Sequence, residues 1–219
     1  MTFAAFEWLT AGNNLRFILE GFLINLQIAI VAMVLALTAG LALALLRLSR
    51  NRVVSTATGI WVDVFRNLPL LLLILFLFLW IPQSARETWE DLMPSWMPES
   101  WHSGLMLAGL SGLVLYNSAV LAEIMRAGIL SLPRGQREAA QALGLNYQQS
   151  MRHVILPQGL RRMVPATVSQ LITLNKDTTL VSIIAIQEVV RSGRILSQTA
   201  GNPFVGGSDV EAPISRRKA

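Results

Sequence analysis

Residues 21–46 read GFLINLQIAIVAMVLALTAGLALALL, an almost unbroken apolar run whose main polar exceptions are Asn25 and Gln27, and it stops at Arg47-Leu48-Ser49-Arg50-Asn51-Arg52. A helix needs about 18 or more apolar residues in a row to cross a hydrocarbon layer roughly 30 Å thick. The stretch satisfies that, and the basic cluster behind it is an end that must stay in water. The same pattern recurs along the chain. Ile60-Trp61-Val62-Asp63-Val64-Phe65-Arg66-Asn67 leads through Leu68-Pro69 into an apolar run from Leu70 to Ile81, which is short alone, so a second span is expected over 56–81. A third is expected over 104–125 and a fourth over 163–190, the latter with polar residues at its centre.

Composition agrees with an all-α integral membrane protein. Of 219 residues, 53% are hydrophobic and 14% charged, more apolar and less charged than a soluble domain of this size. The net charge of +5 points to no nucleic acid, because the basic residues lie between apolar blocks and form no aromatic-interleaved stripe. With no cysteine, and with His102 and His153 far apart, no metal site and no cofactor is expected. Glu7 precedes the first basic residue, Arg16, and the first apolar block is too long for a signal core, so it reads as a retained span.

Short loops rich in Arg and Lys stay cytoplasmic. Arg47, Arg50 and Arg52 therefore place the first loop inside. The segment 82–103, with Glu87, Glu90, Asp91 and Glu99 against Arg86, lies outside, and its Trp89, Trp96 and Trp101 suit a membrane interface. The stretch 127–160 is inside again and the N-terminus is outside. Four spans starting outside end outside, yet the chain finishes in Arg216-Arg217-Lys218; the tail 191–219 is irregular in reading and holds no further apolar run. The expectation is a last span missing from this chain, the alternative being that these basic residues lie outside.

Within 127–160, Gln136 to Leu143 are mostly good helix formers, Gly144 suits a left-handed helix end, and Asn146 with Gln149 makes a capping-box-like start to a second short helix. Pro157 is expected to begin a new element. An amphipathic hairpin of this kind needs a cover for Ala139, Leu143 and Leu145, which either a docked cytosolic protein or the lipid interface supplies.

Glu138-Ala139-Ala140, three residues, Gly144, nine residues, Val154-x-Leu156-Pro157 resembles the signature loop of ABC importer permeases, with valine for isoleucine as the one departure. Val64-Phe65-Arg66-Asn67-Leu68-Pro69-Leu70-Leu71, Ala122-Glu123-Ile124-Met125-Arg126-Ala127-Gly128-Ile129, Leu156-Pro157-Gln158 and Lys176-Asp177-Thr178-Thr179-Leu180 resemble segments of the permeases for polar amino acids, of the histidine, glutamine and glutamate type. The resemblance runs from about Gly21 to Val190 and implies a type I importer bundle in a bacterial inner membrane. It further implies a separate ABC ATPase docked on Glu138, Ala139, Ala140, Gly144, Leu156 and Pro157, a second permease chain, identical or homologous, and an extracytoplasmic solute-binding protein. The resemblance implies another helix before the basic tail, where this sequence reads without a further apolar run.

The chain holds no G-x-x-x-x-G-K-[ST] phosphate loop, so ATP hydrolysis falls to another subunit and the chain is not itself an enzyme. Polar residues inside spans line pathways or pair with one another. Asn175, Lys176, Asp177 and Thr178 are the foremost candidates for a substrate path, with Glu123 and Asn117 behind them. Lys176 and Asp177, being adjacent, cannot face each other on a helix, so each needs a partner elsewhere: a substrate with ammonium and carboxylate groups, or a charge network between helices. Glu123 and Arg126 also read as a simple surface pair, and Glu138 as one with Arg134. The competing classes are an ion-coupled secondary transporter, which needs no docking hairpin, and a truncated, inactive permease. Glutamate or a related polar amino acid is the expected substrate.

Overall fold

The computed structural model describes residues 14–184 together with Ile186 and Ser192. The long elements are α1 (Asn14–Arg47), α2 (Arg52–Asn67), α3 (Leu70–Trp80), α4 (Gln83–Leu92), α6 (Leu105–Leu130), α7 (Arg134–Ala142) and α9 (Leu156–Asp177). Single turns α5 (Glu99–His102) and α8 (Tyr147–Ser150) join them, a π turn (Met151–Ile155) links α8 to α9, and a 3₁₀ stretch (Thr178–Ile184) follows α9. Among the described residues there is no strand.

Helix α6 is the axis, and α1, α2, α3 and α9 all pack on it. Inside a bilayer apolar side chains gain little by leaving lipid for one another, so helices are held by close van der Waals fit, which small residues allow. A Cβ on Gly40 of α1 would stand 3.0 Å from Leu121 Cβ, and one on Gly112 of α6 would stand 2.7 Å from Ile74 Cγ1 on α3. Where α6 meets α9, a Cβ on Gly128 would lie 2.9 Å from Met163 Cβ, and one on Gly159 would lie 3.1 Å from Ile129 Cα. The buried core around these crossings is Ile28, Ala32, Ala36, Leu113, Leu121 and Leu174.

Two helices, α1 and α6, are long and apolar enough among the described residues to cross a membrane alone; α2 and α3 together make a third if that bent pair is one span. The bend is 103° and falls at Leu68-Pro69, inside the segment 56–81 that reads as one span in the sequence. Proline disfavours a helical residue before it, and Leu68 is extended at φ −77°, ψ 137°. Asn67 Nδ2 closes the last turn of α2 on the Asp63 carbonyl at 2.6 Å. Helix α6 continues five residues past the expected 125, to Leu130.

The last segment differs most from the expected span over 163–190. Its helix begins at Leu156 and ends at Asp177, and 185 and 187–190 fall outside the described residues. At 22 residues α9 is about 33 Å long, enough to cross, but its composition keeps it out of the set of apolar spans. The tail 191–219, Ser192 apart, and with it the expectation of a missing last span, lies outside the described residues. Of the three interface tryptophans only Trp96 is broadly exposed. Trp101 is buried and donates to Gln27 Oε1 at 3.2 Å, while Trp89 donates to the Trp101 carbonyl at 2.8 Å, so these two pin the segment 82–103 to α1.

The α6–α9 crossing gives a direct test. Gly159→Leu is expected to destabilise the detergent-solubilised protein by about 1–3 kcal/mol, the usual cost of overpacking, whereas Gly135→Ala, whose added Cβ meets nothing within 4 Å, is expected to be neutral or slightly stabilising. Thermal unfolding midpoints read both; equal shifts would mean that the crossing does not depend on its glycines.

Candidate functional site

The hairpin is built from local determinants. Helix α7 ends in a Schellman motif: Gly144 has φ 79°, its N–H bonds to the Gln141 carbonyl at 2.9 Å, and the Leu145 N–H reaches the Ala140 carbonyl at 3.1 Å. Asn146 then accepts from the Gln149 N–H at 2.9 Å while Gln149 Oε1 accepts from the Asn146 N–H at 2.9 Å, a complete capping box. Gln158 Nε2 donates to Gln136 Oε1 at 3.0 Å and the Tyr147 hydroxyl donates to the Leu48 carbonyl at 3.2 Å, so both arms are tied to the bundle. Ala140 faces inward, 2% exposed, whereas Glu138, Ala139 and Gly144 are exposed and Leu143 is 81% exposed. Among the described residues Glu138 forms no ion pair, with Arg134 or any other cation.

Pro157 lies in the first turn of α9, as expected, and that helix follows α8 without an intervening loop: the π turn Met151–Ile155 joins the two, with the Leu156 N–H bonding five residues back to the Met151 carbonyl. Pro157 has no N–H to return to the preceding turn, and a widened turn keeps its ring clear of those carbonyls. Leu156 is half-buried and Pro157 exposed on this joint.

Glu123 is no simple surface pair. Its carboxylate accepts from Arg126 Nη2 at 2.5 Å and from Arg47 Nη1 at 2.6 Å, and Arg47 Nη2 also lies 3.5 Å from Asp63, which is in turn 3.5 Å from Arg66. One cluster thus joins the end of α1, the middle of α2 and the end of α6. Gly59 on α2 packs beside the Arg47 side chain, where an added Cβ would come into ordinary contact with Arg47 Nε at 3.6 Å. Arg47 reads in the sequence only as a topology marker, and nothing local identifies its partners.

The other path candidates separate into two groups. Asn117, fully buried, donates to the Leu113 carbonyl at 2.9 Å and accepts from Gln170 Nε2 on α9 at 2.8 Å. Buried Thr178 has its hydroxyl 2.6 Å from Asn25 Oδ1 on α1 and 2.7 Å from the Asn175 carbonyl. Both are therefore engaged in holding helices together. Asn175 and Lys176 are exposed and Asp177 half-buried, and among the described residues neither Lys176 nor Asp177 forms an ion pair. Helix α9 docks by one stripe, Gly159, Met163 and Leu174, while Val164, Val168, Ser169, Ile172 and Thr173 are uncovered on the same open side as Asn175 and Lys176.

Residues 36–206 match the family described as binding-protein-dependent transport system inner membrane component. The chain is 36% identical over 185 residues to a probable glutamine ABC transporter permease protein of Bacillus subtilis (strain 168), covering 84% of this chain and 78% of that protein. It is 33% identical over 196 residues to a glutamate/aspartate import permease protein of Escherichia coli, covering 90% and 84%. A crystal structure of an amino acid ABC transporter with histidines superposes with a TM-score of 0.72 at 27% identity, over 90% of this chain and 87% of that one.

The Arg47–Glu123 contact is 18% and 21% exposed, shielded enough from water to matter for stability. Glu123→Gln is expected to destabilise the protein by about 2 kcal/mol, the scale of a lost charged hydrogen bond. In a double-mutant cycle with Arg47→Gln the two losses should not add; additive losses would show that the contact carries no energy.

Proposed function

The chain belongs to the family of binding-protein-dependent transport system inner membrane components and is an all-α type I amino-acid ABC importer permease; on that premise we propose that it forms one side of a path for polar α-amino acids, driven through the hairpin 134–155 by a separate ATPase. The observation that carries the reading is the hairpin itself. It presents Glu138, Ala139 and a Leu143 that is 81% exposed, on a turn held by its own Schellman bonds and capping box. A single exposed leucine is common on a protein surface; what supports docking is that Leu143 stands on this rigid turn between the Glu138-Ala139-Ala140 triplet and Gly144, at the spacing of the importer permeases' signature loop.

In the proposed mechanism the ATPase grips this turn, and α8–α9 carries its movement away. Residues 147–177 make one helix of roughly 46 Å, with the docking turn at one end and Asn175, Lys176 and Asp177 at the other. The relatives named for glutamine and for glutamate/aspartate have cargoes of different side-chain charge, whose common charged groups are the α-ammonium and α-carboxylate. A lysine and an aspartate without an ion-pair partner among the described residues suit those two groups, Lys176 toward the carboxylate and Asp177 toward the ammonium. A solute-binding protein delivers the amino acid from outside, a second permease chain covers the open side of α9, and the N-terminus lies outside with the hairpin in the cytoplasm. Glutamate or a related polar amino acid is the proposed cargo.

The cysteine-free sequence allows a clean test. A single cysteine at exposed Ala142 is expected to react with an impermeant maleimide only from the cytoplasmic side, and to be protected by the ATPase. Labelling indifferent to the ATPase would rule out docking at this turn, and labelling from outside would reverse the topology. For the substrate groups, Lys176→Gln and Asp177→Asn are each expected to raise the transport KM about 10- to 100-fold, the range of one charged hydrogen bond. An unchanged KM with poorer folding would assign the pair to structure instead.

A further inference from the structure

A groove of about 740 Å³ lies between the end of α1 and the start of α8, lined by Ala42, Leu45, Leu46, Leu48, Ser49, Arg50, Tyr147, Gln148 and Met151. Its long wall is apolar and continuous with the outward surface of α1, where Leu45 and Leu46 are exposed. Its rim is polar. The Arg50 guanidinium sits over the Tyr147 ring, 4.3 Å from the centroid, and the ring is held in place by its hydroxyl, which donates to the Leu48 carbonyl.

The two neighbouring arginines differ in what they face. Arg47 is taken up by Glu123 and Asp63. Arg50 has no carboxylate partner among the described residues, and its planar charge is held against an aromatic face with its N–H edge open. An apolar trough ending at an oriented, unneutralised guanidinium, at the end of a membrane-spanning helix, complements a molecule with a hydrocarbon chain and a phosphate.

We propose that this groove binds one anionic phospholipid, its acyl chain along Ala42, Leu45 and Leu46 and its phosphate on Arg50, with Ser49 and Gln148 at the headgroup. The site lies beside the docking hairpin, since Tyr147 is the first residue of α8. A bound lipid therefore braces the base of the hairpin against α1. This inference uses the topology of the preceding section for the leaflet involved, the cytoplasmic one, and it requires no statement about the substrate.

The test uses the assembled transporter, permease with its ATPase, exchanged into detergent with equal phosphatidylglycerol and phosphatidylcholine of the same chains and read by native mass spectrometry. The wild type is expected to retain phosphatidylglycerol over phosphatidylcholine. Arg50→Gln is expected to lower that preference about fivefold, the effect of one basic residue near an anionic lipid surface. Arg52→Gln, a cation of the same loop that does not line the groove, should leave it unchanged, and Ala42→Trp should fill the trough and displace both lipids. No preference in the wild type, an equal loss in Arg50→Gln and Arg52→Gln, or lipid retained by Ala42→Trp would each overturn the proposal. So would loss of ATPase co-purification in Arg50→Gln, which would assign the groove to that subunit. If the wild type retained the lipid but no ATPase bound, the docking reading would fail and the lipid site would stand.

Discussion

The close approach of helices to α6 is the constraint on which the rest of this structure depends. Lipid solvates leucine as well as another leucine does, so nothing pushes α1, α3 and α9 onto α6 except fit and polar bonding. Fit demands small residues at the crossings, and Gly40, Gly112, Gly128 and Gly159 stand where a methyl group would collide with the neighbouring helix. The axis so formed fixes the two functional ends. Gly128 and Gly159 set the height at which α9 leaves α6, and the hairpin lies in the chain between them.

Polar bonding does the remainder, and it sorts the polar residues of the bundle. Asn25 with Thr178 ties α1 to the end of α9, Asn117 with Gln170 ties α6 to its middle, and Arg47, Glu123 and Asp63 tie α1, α6 and α2. An unsatisfied polar group in hydrocarbon is costly, so each pair also fixes register. Once these are assigned, Asn175, Lys176 and Asp177 stand apart as polar side chains at the end of α9 that form no ion pair with another helix among the described residues. That contrast is what supports the path proposed for them.

What could be read from sequence divides along the range of the forces involved. The long run 21–46 and the hairpin ends were legible because length, Gly144 and the Asn146–Gln149 pair act within a few residues of themselves. Asn117 and Thr178 stand out in the sequence as polar residues within spans, but their partners lie 53 and 153 positions away, and no local pattern names Gln170 or Asn25. Glu123 shows the same limit: Arg126 at three residues is visible, Arg47 at 76 is not. The Leu68-Pro69 break was visible as a proline, while its 103° angle depends on what α2 packs against. Trp101 read as an interface anchor because a tryptophan alone does not say whether its N–H will find lipid headgroups or Gln27.

The continuity of 147–177 explains why a helix so ill suited to lipid is retained between the hairpin and the polar end. A loop before Leu156 would separate the hairpin from α9, whereas Pro157 sits in the first turn of that helix, where its missing N–H costs least. The π turn admits the proline without ending the helix, so the turn stays joined to α9 as one piece. Pro165, farther along and exposed, removes the hydrogen bond to the Arg161 carbonyl and provides a second soft point. Only one stripe of α9 is fixed on α6, and that stripe is anchored at Gly159, Met163 and Leu174, on either side of Pro165. Helix α9 is thus joined to the hairpin's second arm without a loop and is pinned to α6 along one edge, which is the connection the proposed coupling needs.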